Sequence, residues 1–278
     1  MNYMEVICQV APREPWADLL IDELASMGFE SFEETELGFN AYVAGNELGF
    51  DLQRHLKEID DERFTFSYEI REVGGKNWNE EWEKNFHPIW VEQKLLIRAP
   101  FHSASPDGEE LVIMPRMSFG TGHHASTWLM LAEMMTEDFT NQEGLDMGCG
   151  TGILGIYASK KGAKSVLAVD NYPDAVSNAK DNILENRVTG VIAEVGDIDR
   201  LENTHFDFIL ANINRNVLLE HMPVYATCLR ENRSLFTSGF LVKDLLEIYH
   251  RALSFGLQLR AIREKQNWVM ARFEKRPV

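Results

Sequence analysis

Seven residues in the middle of the chain, Asp146-Met147-Gly148-Cys149-Gly150-Thr151-Gly152, carry the first chemical signal. Glycines at this spacing let the backbone turn tightly and let a ligand approach without meeting a Cβ. The first amides of the helix that follows then point into the crevice. A dinucleotide site normally reads G-x-G-x-x-G, with its pyrophosphate on those amides. Here the third glycine comes two positions after the second, which disfavours a nicotinamide dinucleotide. A nucleotide and S-adenosylmethionine, which has no phosphate, both remain open. Asp170 strengthens the signal. It closes the strand-like run SVLAVD, 22 residues past Gly148, where a carboxylate can accept both hydrogen bonds of a ribose diol. The glycine turn alone is a weak motif; with Asp170 it becomes a site.

Other residues fall around it. Asp197 and Asp199 follow a third strand-like run, and either could take the amino group of an adenine or simply cap a turn. Asn212 ends the apolar run FILAN, where a parallel strand delivers a side chain to the ligand crevice. Its amide offers an acceptor and a donor to an incoming amine or to the cofactor. Asn214 reads equally as a turn residue. In MSFGTGHHAST, Gly120 and Gly122 bracket Thr121, and Thr127 lies in the helix that begins at His123-His124. This loop is a candidate ligand contact, and Phe119 could lay its ring on a sulfonium. No third ligand accompanies the two histidines, so no metal is expected. Cys8, Cys149 and Cys228 are odd in number and widely spaced, as in a reducing compartment.

The elements that must position these residues follow from periodicity. Residues 1–73 read as β-α-β-β-α-β, the ferredoxin-like α+β pattern. One helix carries Trp16, Leu19, Leu20, Glu23, Leu24 and Met27 and ends at Gly28; the second carries Leu48, Leu52, Leu56 and Ile59. The expected division is a first domain over 1–62, a linker over 63–77 that can include that domain's last strand, and a catalytic domain over 78–278. Trp78, Trp82 and Phe86 lie at i, i+4 and i+8, a core stripe or a cap over a pocket. From Gly120 onward, strands alternate with helices, which predicts a mostly parallel, Rossmann-like α/β sheet with an antiparallel edge.

Charge is unevenly placed. The chain of 278 residues carries −17 in all. Residues 1–62 hold fifteen Asp and Glu against Arg13, Arg54 and Lys57, a net of −12. A field of that sign attracts basic partners and disfavours direct grip on a nucleic-acid backbone. The opening MNYMEVICQV has no basic segment followed by a long apolar one, and no apolar run approaches a bilayer span. A cytoplasmic monomer with no membrane contact is expected.

Four stretches, NWNEEWEKNFHPI, FGTGHHAST, the long run from LDMGCGTGILG to VSNAKDN, and FDFILANINRNVL, resemble the PrmA family of ribosomal protein methyltransferases. The third resembles class I methyltransferases in general; the first two are specific to the family. The resemblance covers essentially the whole chain. It implies a small domain that recruits the substrate, a linker, and a catalytic domain that uses S-adenosylmethionine without a metal. It places cofactor contacts at Thr127, Gly148, Asp170 and Asn212, and with them Gly150, Gly152 and Asp197 line the expected site. Asn212 and Thr127 are the expected catalytic pair. The substrate it implies is large-subunit ribosomal protein number eleven, a basic protein, methylated on lysine side-chain amines and on its N-terminal amine. A methyltransferase for another protein or a small amine would keep the same turn and Asp170; a non-catalytic adaptor would have no need of all three of Gly148, Asp170 and Asn212. Three departures stand out: GHH for the usual GTH, Asn212-Ile213-Asn214 for Asn-Ile-Leu, and RENRS for a Pro-Gly-Gly turn before Leu235.

Overall fold

The computed structural model describes residues 3–13, 16–17, 20–21, 24, 29, 31–44, 59, 63–73, 86–104, 108–114, 120–201 and 204–277. Trp78, Trp82, Phe119, the helix end at Gly28 and most of the second helical stripe of the small domain lie outside them. The chain divides into two compact units, Met1–Asn85 and Phe86–Val278.

The first unit holds four antiparallel strands: β1 (Tyr3–Ala11), β2 (Ser31–Thr35), β3 (Gly38–Ala44) and β4 (Thr65–Val73). Their order is β2-β3-β1-β4, so the first strand lies between the third and fourth, as in a split βαβ unit. Alternation decides the faces. Val6, Cys8, Val10, Phe39, Ala41 and Val43 are buried, together with Ala17, Leu20 and Leu24 from a helical stretch. Glu5, Asn40, Tyr42, Glu33 and Glu69 occupy the opposite face. The strand within 63–77 is part of this sheet: β4 pairs with β1 along its whole length, from Ala11↔Thr65 to Tyr3↔Val73.

The second unit opens on a small sheet of β5 (Ile89–Val91), β6 (Leu95–Arg98) and β7 (Glu109–Val112). The run VEQKLLIRAP is broken by a turn in which Glu92 and Gln93 take φ of 49° and 56°. Next comes helix α1 (Ala125–Met134). The main sheet then alternates with helices: β8 (Glu143–Met147), α2 (Ile153–Lys160), β9 (Ser165–Asp170), α3 (Pro173–Glu185), β10 (Val191–Val195), β11 (Phe206–Asn212), α4 (Arg215–Cys228), β12 (Leu229–Leu241), α5 (Leu245–Leu253), β13 (Leu257–Lys265) and β14 (Trp268–Lys275).

The strand order of this sheet is β10-β9-β8-β11-β12-β14-β13. β8 to β12 are parallel, and β14 is antiparallel to both of its neighbours. The chain leaves β8 in one direction and returns past it to β11, so the strand order reverses between β8 and β11. Ligands of open α/β sheets bind outside the carboxyl ends of the strands at such a point. Gly148 follows β8 and Asn212 ends β11. One apolar layer, around Phe139, Tyr157, Phe208 and Phe236, fills one side of the sheet. A second, around Leu218, Tyr225, Phe240 and Phe273, fills the other.

The segment RENRS, expected as a loop, belongs to β12, which continues directly from α4. The first four residues of RENRS, 230–233, form an irregularity in the pairing with β11, with Asn232 at φ of 57°. Leu229 pairs with Phe206, and the guanidinium groups of Arg230 and Arg233 both sit 3.1 Å from the carboxylate of Asp207 in β11.

Candidate active site

The glycine turn is built by backbone conformations that side chains resist. Gly148, Gly150 and Gly152 have φ of 69°, 53° and 76°. A Cβ at Gly148 would lie 2.4 Å from Cγ2 of Ile213, so the turn packs against the residue just after β11. Asp170 closes the turn from β9. Its Oδ2 accepts from the Gly150 amide at 2.9 Å and its Oδ1 from the Tyr172 amide at 3.0 Å. Each carboxylate oxygen keeps a second lone pair, and the residue retains 8% exposure. That is the arrangement a ribose diol requires.

A second carboxylate lies beneath. Asp146, at 1% exposure, accepts from the Gly155 amide at 2.9 Å. Burial pushes its carboxyl up to about 7; the Gly155 hydrogen bond opposes the shift and the charge of Asp170 adds to it. In the sequence Asp146 heads the glycine turn without a role of its own. The signal available was an acidic residue two positions before the first glycine, flanked by Leu145 and Met147.

Asn212 and Thr127 meet. The Asn212 Nδ2 donates to the Thr127 hydroxyl at 3.2 Å, joining the tip of β11 to the first turn of α1. The Asn212 Oδ1 is buried and has no hydrogen-bond partner among the described residues. A buried amide carbonyl left unpaired costs about 1–3 kcal/mol. Asn214 has a different task. Its Oδ1 accepts from the Val217 amide at 3.1 Å and caps α4.

The glycine-rich segment before α1 leans on the glycine turn. The Thr151 hydroxyl donates to the Gly120 carbonyl at 2.6 Å. Gly122, at φ of 88°, lies where a Cβ would meet Ile97 Cδ1 at 2.6 Å. The two histidines that follow part company. His123 lies 4.3 Å from the Phe86 ring, and its Nε2 donates to the His87 carbonyl at 3.0 Å. His124 caps α1 by accepting from the Ser126 amide, and its ring meets Trp268 edge-on at 4.4 Å. Burial holds the His124 ring below the ordinary histidine range. Among the described residues no cluster of three or more His, Cys, Asp or Glu forms a metal cage.

Asp197 lies just past β10, and the neighbouring Gly196 amide donates to the Asp170 carbonyl at 3.0 Å. The Asp197 side chain is 55% exposed, with its Oδ1 on the Ile198 amide at 2.7 Å and 3.8 Å from Nε2 of buried His221. It caps a 3-10 turn, Ile198–Leu201, that contains Asp199. Thus Gly148, Gly150, Gly152, Asp170, Asp197, Asn212 and Thr127 all lie along the carboxyl edge of the sheet or on the helix that faces it. The residues fit S-adenosylmethionine. The cradle at Gly148 would be filled by a Cβ, the Asp170 oxygens suit a diol, and the Asn212 oxygen awaits a donor.

A family model described as "Ribosomal protein L11 methyltransferase (PrmA)" matches residues 19–276. A ribosomal protein L11 methyltransferase of Phocaeicola vulgatus is 41% identical over 283 residues, covering 98% of this chain and 99% of that protein. The enzyme of that name from Porphyromonas gingivalis is 41% identical over 260 residues, covering 92% of this chain and 90% of that one. Among solved structures, the ribosomal protein L11 methylase of Lactobacillus delbrueckii subsp. bulgaricus superposes with a TM-score of 0.64 at 26% identity, over 69% of this chain and 100% of that one. A methyltransferase from Pyrococcus furiosus, at 17% identity and a TM-score of 0.52, shares the fold. With a family model over most of its length, relatives at 41% identity and a seven-stranded class I methyltransferase sheet, this chain belongs to the ribosomal protein L11 methyltransferase (PrmA) family.

Proposed function

We propose that the chain transfers methyl groups from S-adenosylmethionine to lysine side-chain amines and to the N-terminal amine of ribosomal protein L11. The unpartnered Oδ1 of Asn212, at the point where the strand order reverses, carries this reading. S-adenosylmethionine supplies a methyl group on a positively charged sulfur, so its leaving group is already activated.

The protein's own residues align and desolvate. Gly148, Gly150 and Gly152 admit the cofactor to van der Waals contact. Asp170 takes the ribose hydroxyls, and Asp197 takes the adenine amino group. Thr127 touches the cofactor and fixes the Asn212 amide through its 3.2 Å hydrogen bond. With Nδ2 so engaged, Oδ1 is the end turned to the substrate, where it accepts an N–H and aims the nitrogen lone pair. The new N–C bond forms as the S–C bond breaks, and the surplus amine proton leaves to solvent. A lysine amine starts near a pKa of ~10.4 and an N-terminal amine near ~8. A dry pocket lowers both, so no dedicated strong base is required.

Recruitment falls to the first unit. The exposed face of its sheet groups Glu5 and Glu33 around Tyr42, whose hydroxyl lies 3.0 Å and 3.2 Å from their carboxylates. Glu69 lies on the same face. With the net of −12 over residues 1–62, this surface steers a basic protein by long-range attraction. It does not suit a nucleic-acid backbone. Among the described residues no helix is long and apolar enough to cross a membrane. The working state is a cytoplasmic monomer. Incubation of the protein with radiolabelled S-adenosylmethionine and purified ribosomal protein L11 tests the proposal. Label on lysine and N-terminal amines is expected. Label confined to a small amine, with L11 left bare, would overturn it.

A further inference from the structure

Asn178 and Asn182 of α3 and Asn186 at its C-cap recur at intervals of four and so share one face of the helix. Asn178 and Asn182 are fully buried. A buried polar stripe is costly unless its hydrogen bonds are organised. Those of Asn182 are complete. Its Oδ1 accepts from the Met114 amide at 2.8 Å. Its Nδ2 donates to the Thr151 carbonyl at 2.9 Å and to Asn178 Oδ1 at 3.3 Å. Asn186 grips the backbone of Val112, through its Oδ1 at 2.9 Å and its Nδ2 at 2.6 Å, and its Nδ2 also donates to the Asn182 carbonyl at 2.9 Å.

The carbonyl that Asn182 holds belongs to the glycine turn, between Gly150 and Gly152. The hydroxyl of the same Thr151 donates to the Gly120 carbonyl. Met114 and Gly120 are therefore both tied to the turn, one through Asn182 and the other through Thr151. An all-apolar face would pack α3 without the cost of the Asn178 Nδ2, which is buried with no partner among the described residues. What the amides add is register between the turn and the chain that leads into Gly120.

We infer that Asn182 is a positioning residue for the cofactor: by holding Met114 and Thr151 together it sets the affinity for S-adenosylmethionine, not the rate of methyl transfer. This rests on the reading that the glycine turn holds S-adenosylmethionine. Substitution Asn182→Asp keeps an acceptor for the Met114 amide and puts an oxygen against the Thr151 carbonyl. Substitution Asn182→Ala removes both links without adding a charge. Asn186→Ala loosens the same helix face but leaves the turn untouched.

The test is calorimetric titration of the full-length proteins with S-adenosylmethionine, together with steady-state kinetics and thermal unfolding. For both Asn182 variants the dissociation constant and the KM for S-adenosylmethionine are expected to rise about tenfold. Their kcat at saturating cofactor stays within about threefold. Asn186→Ala is expected to lower Tm comparably while keeping KM within about twofold of the parent. Equal rises in KM for Asn182→Ala and Asn186→Ala, or a fall in kcat at unchanged KM, would overturn the inference. If Asn182→Asp does not fold, the Ala pair decides. Failure of the parent protein itself to bind S-adenosylmethionine would overturn instead the reading on which the inference rests.

Discussion

The exposed face of the small sheet and the carboxyl edge of the large sheet both gather carboxylates, and they do so in opposite ways. On the small sheet Glu5, Glu33 and Glu69 stand on an open surface, joined by a tyrosine and an arginine at ordinary hydrogen-bond distances. At the large sheet's edge Asp146 and Asp170 are buried, and each is held by backbone amides. Exposed charges act over a Debye length and lose their effect in salt. Buried ones act over a hydrogen bond and hardly feel salt. A protein that must attract a basic partner and then align one nitrogen has reason to keep the two kinds in separate units.

The largest expected effect separates the regions by pH. Burial raises the Asp146 carboxyl in the folded protein to about 7, well above the ordinary aspartate range. Its protonated form therefore favours folding. That contribution is complete below about pH 4 and is lost as pH rises through about 7, by up to about 4 kcal/mol. Asp146→Asn keeps an acceptor for the Gly155 amide and removes the titration. Urea midpoints between pH 4 and 9 should fall less steeply for the variant. Parallel curves would contradict the assignment. The double variant Glu5→Gln, Glu33→Gln should leave the steep curve in place.

Next in size is Asn212→Ala, with kcat down about a hundredfold. The dissociation constant for S-adenosylmethionine should move by no more than about threefold, because the lost oxygen faces the amine. Proportionate losses in both, seen by kinetics and calorimetry, would place Asn212 on the cofactor instead. A smaller effect is expected from Gly148→Ala, since the added methyl meets Ile213 and φ is positive. Cofactor affinity should weaken about tenfold while the salt dependence of turnover stays as in the parent. The smallest effect belongs to the open face. Glu5→Gln with Glu33→Gln should lower kcat/KM for L11 about threefold in low salt, and the difference should vanish near ~0.5 M salt. A loss that persists in high salt would mean a contact, not a field.

Local signals account for what could be read from sequence. The turn, Asp170 and Asn212 each end a short apolar run, and parallel strands deliver such ends to one edge. The spacing of Gly148, Gly150 and Gly152 is likewise contained within five residues. What escaped reading depends on partners far along the chain. Asn182 meets Met114 and Thr151 across 68 and 31 residues, and no periodicity announces such a contact. RENRS stands where the family has a turn, and its residues 230–233 do bulge from the pairing within β12, with both arginines on Asp207 of β11, a partner that no local signal announces. The turn at Glu92-Gln93 uses positive φ without glycine, so nothing in its composition marks it. Asn214 was balanced between turn and site, and only its bond to the Val217 amide shows it capping α4.

The central claim is that Asn212 aims an amine of ribosomal protein L11 at a methyl group held over the glycine turn. Single-turnover methylation of purified L11 tests it most directly, with preformed complexes of cofactor and either the parent or the Asn212→Ala protein. The predicted result is label on lysine and N-terminal amines, at a rate about a hundredfold lower for the variant, with both proteins saturated by cofactor. Equal rates for the two proteins, or no label on L11 from a cofactor-bound parent, would contradict it.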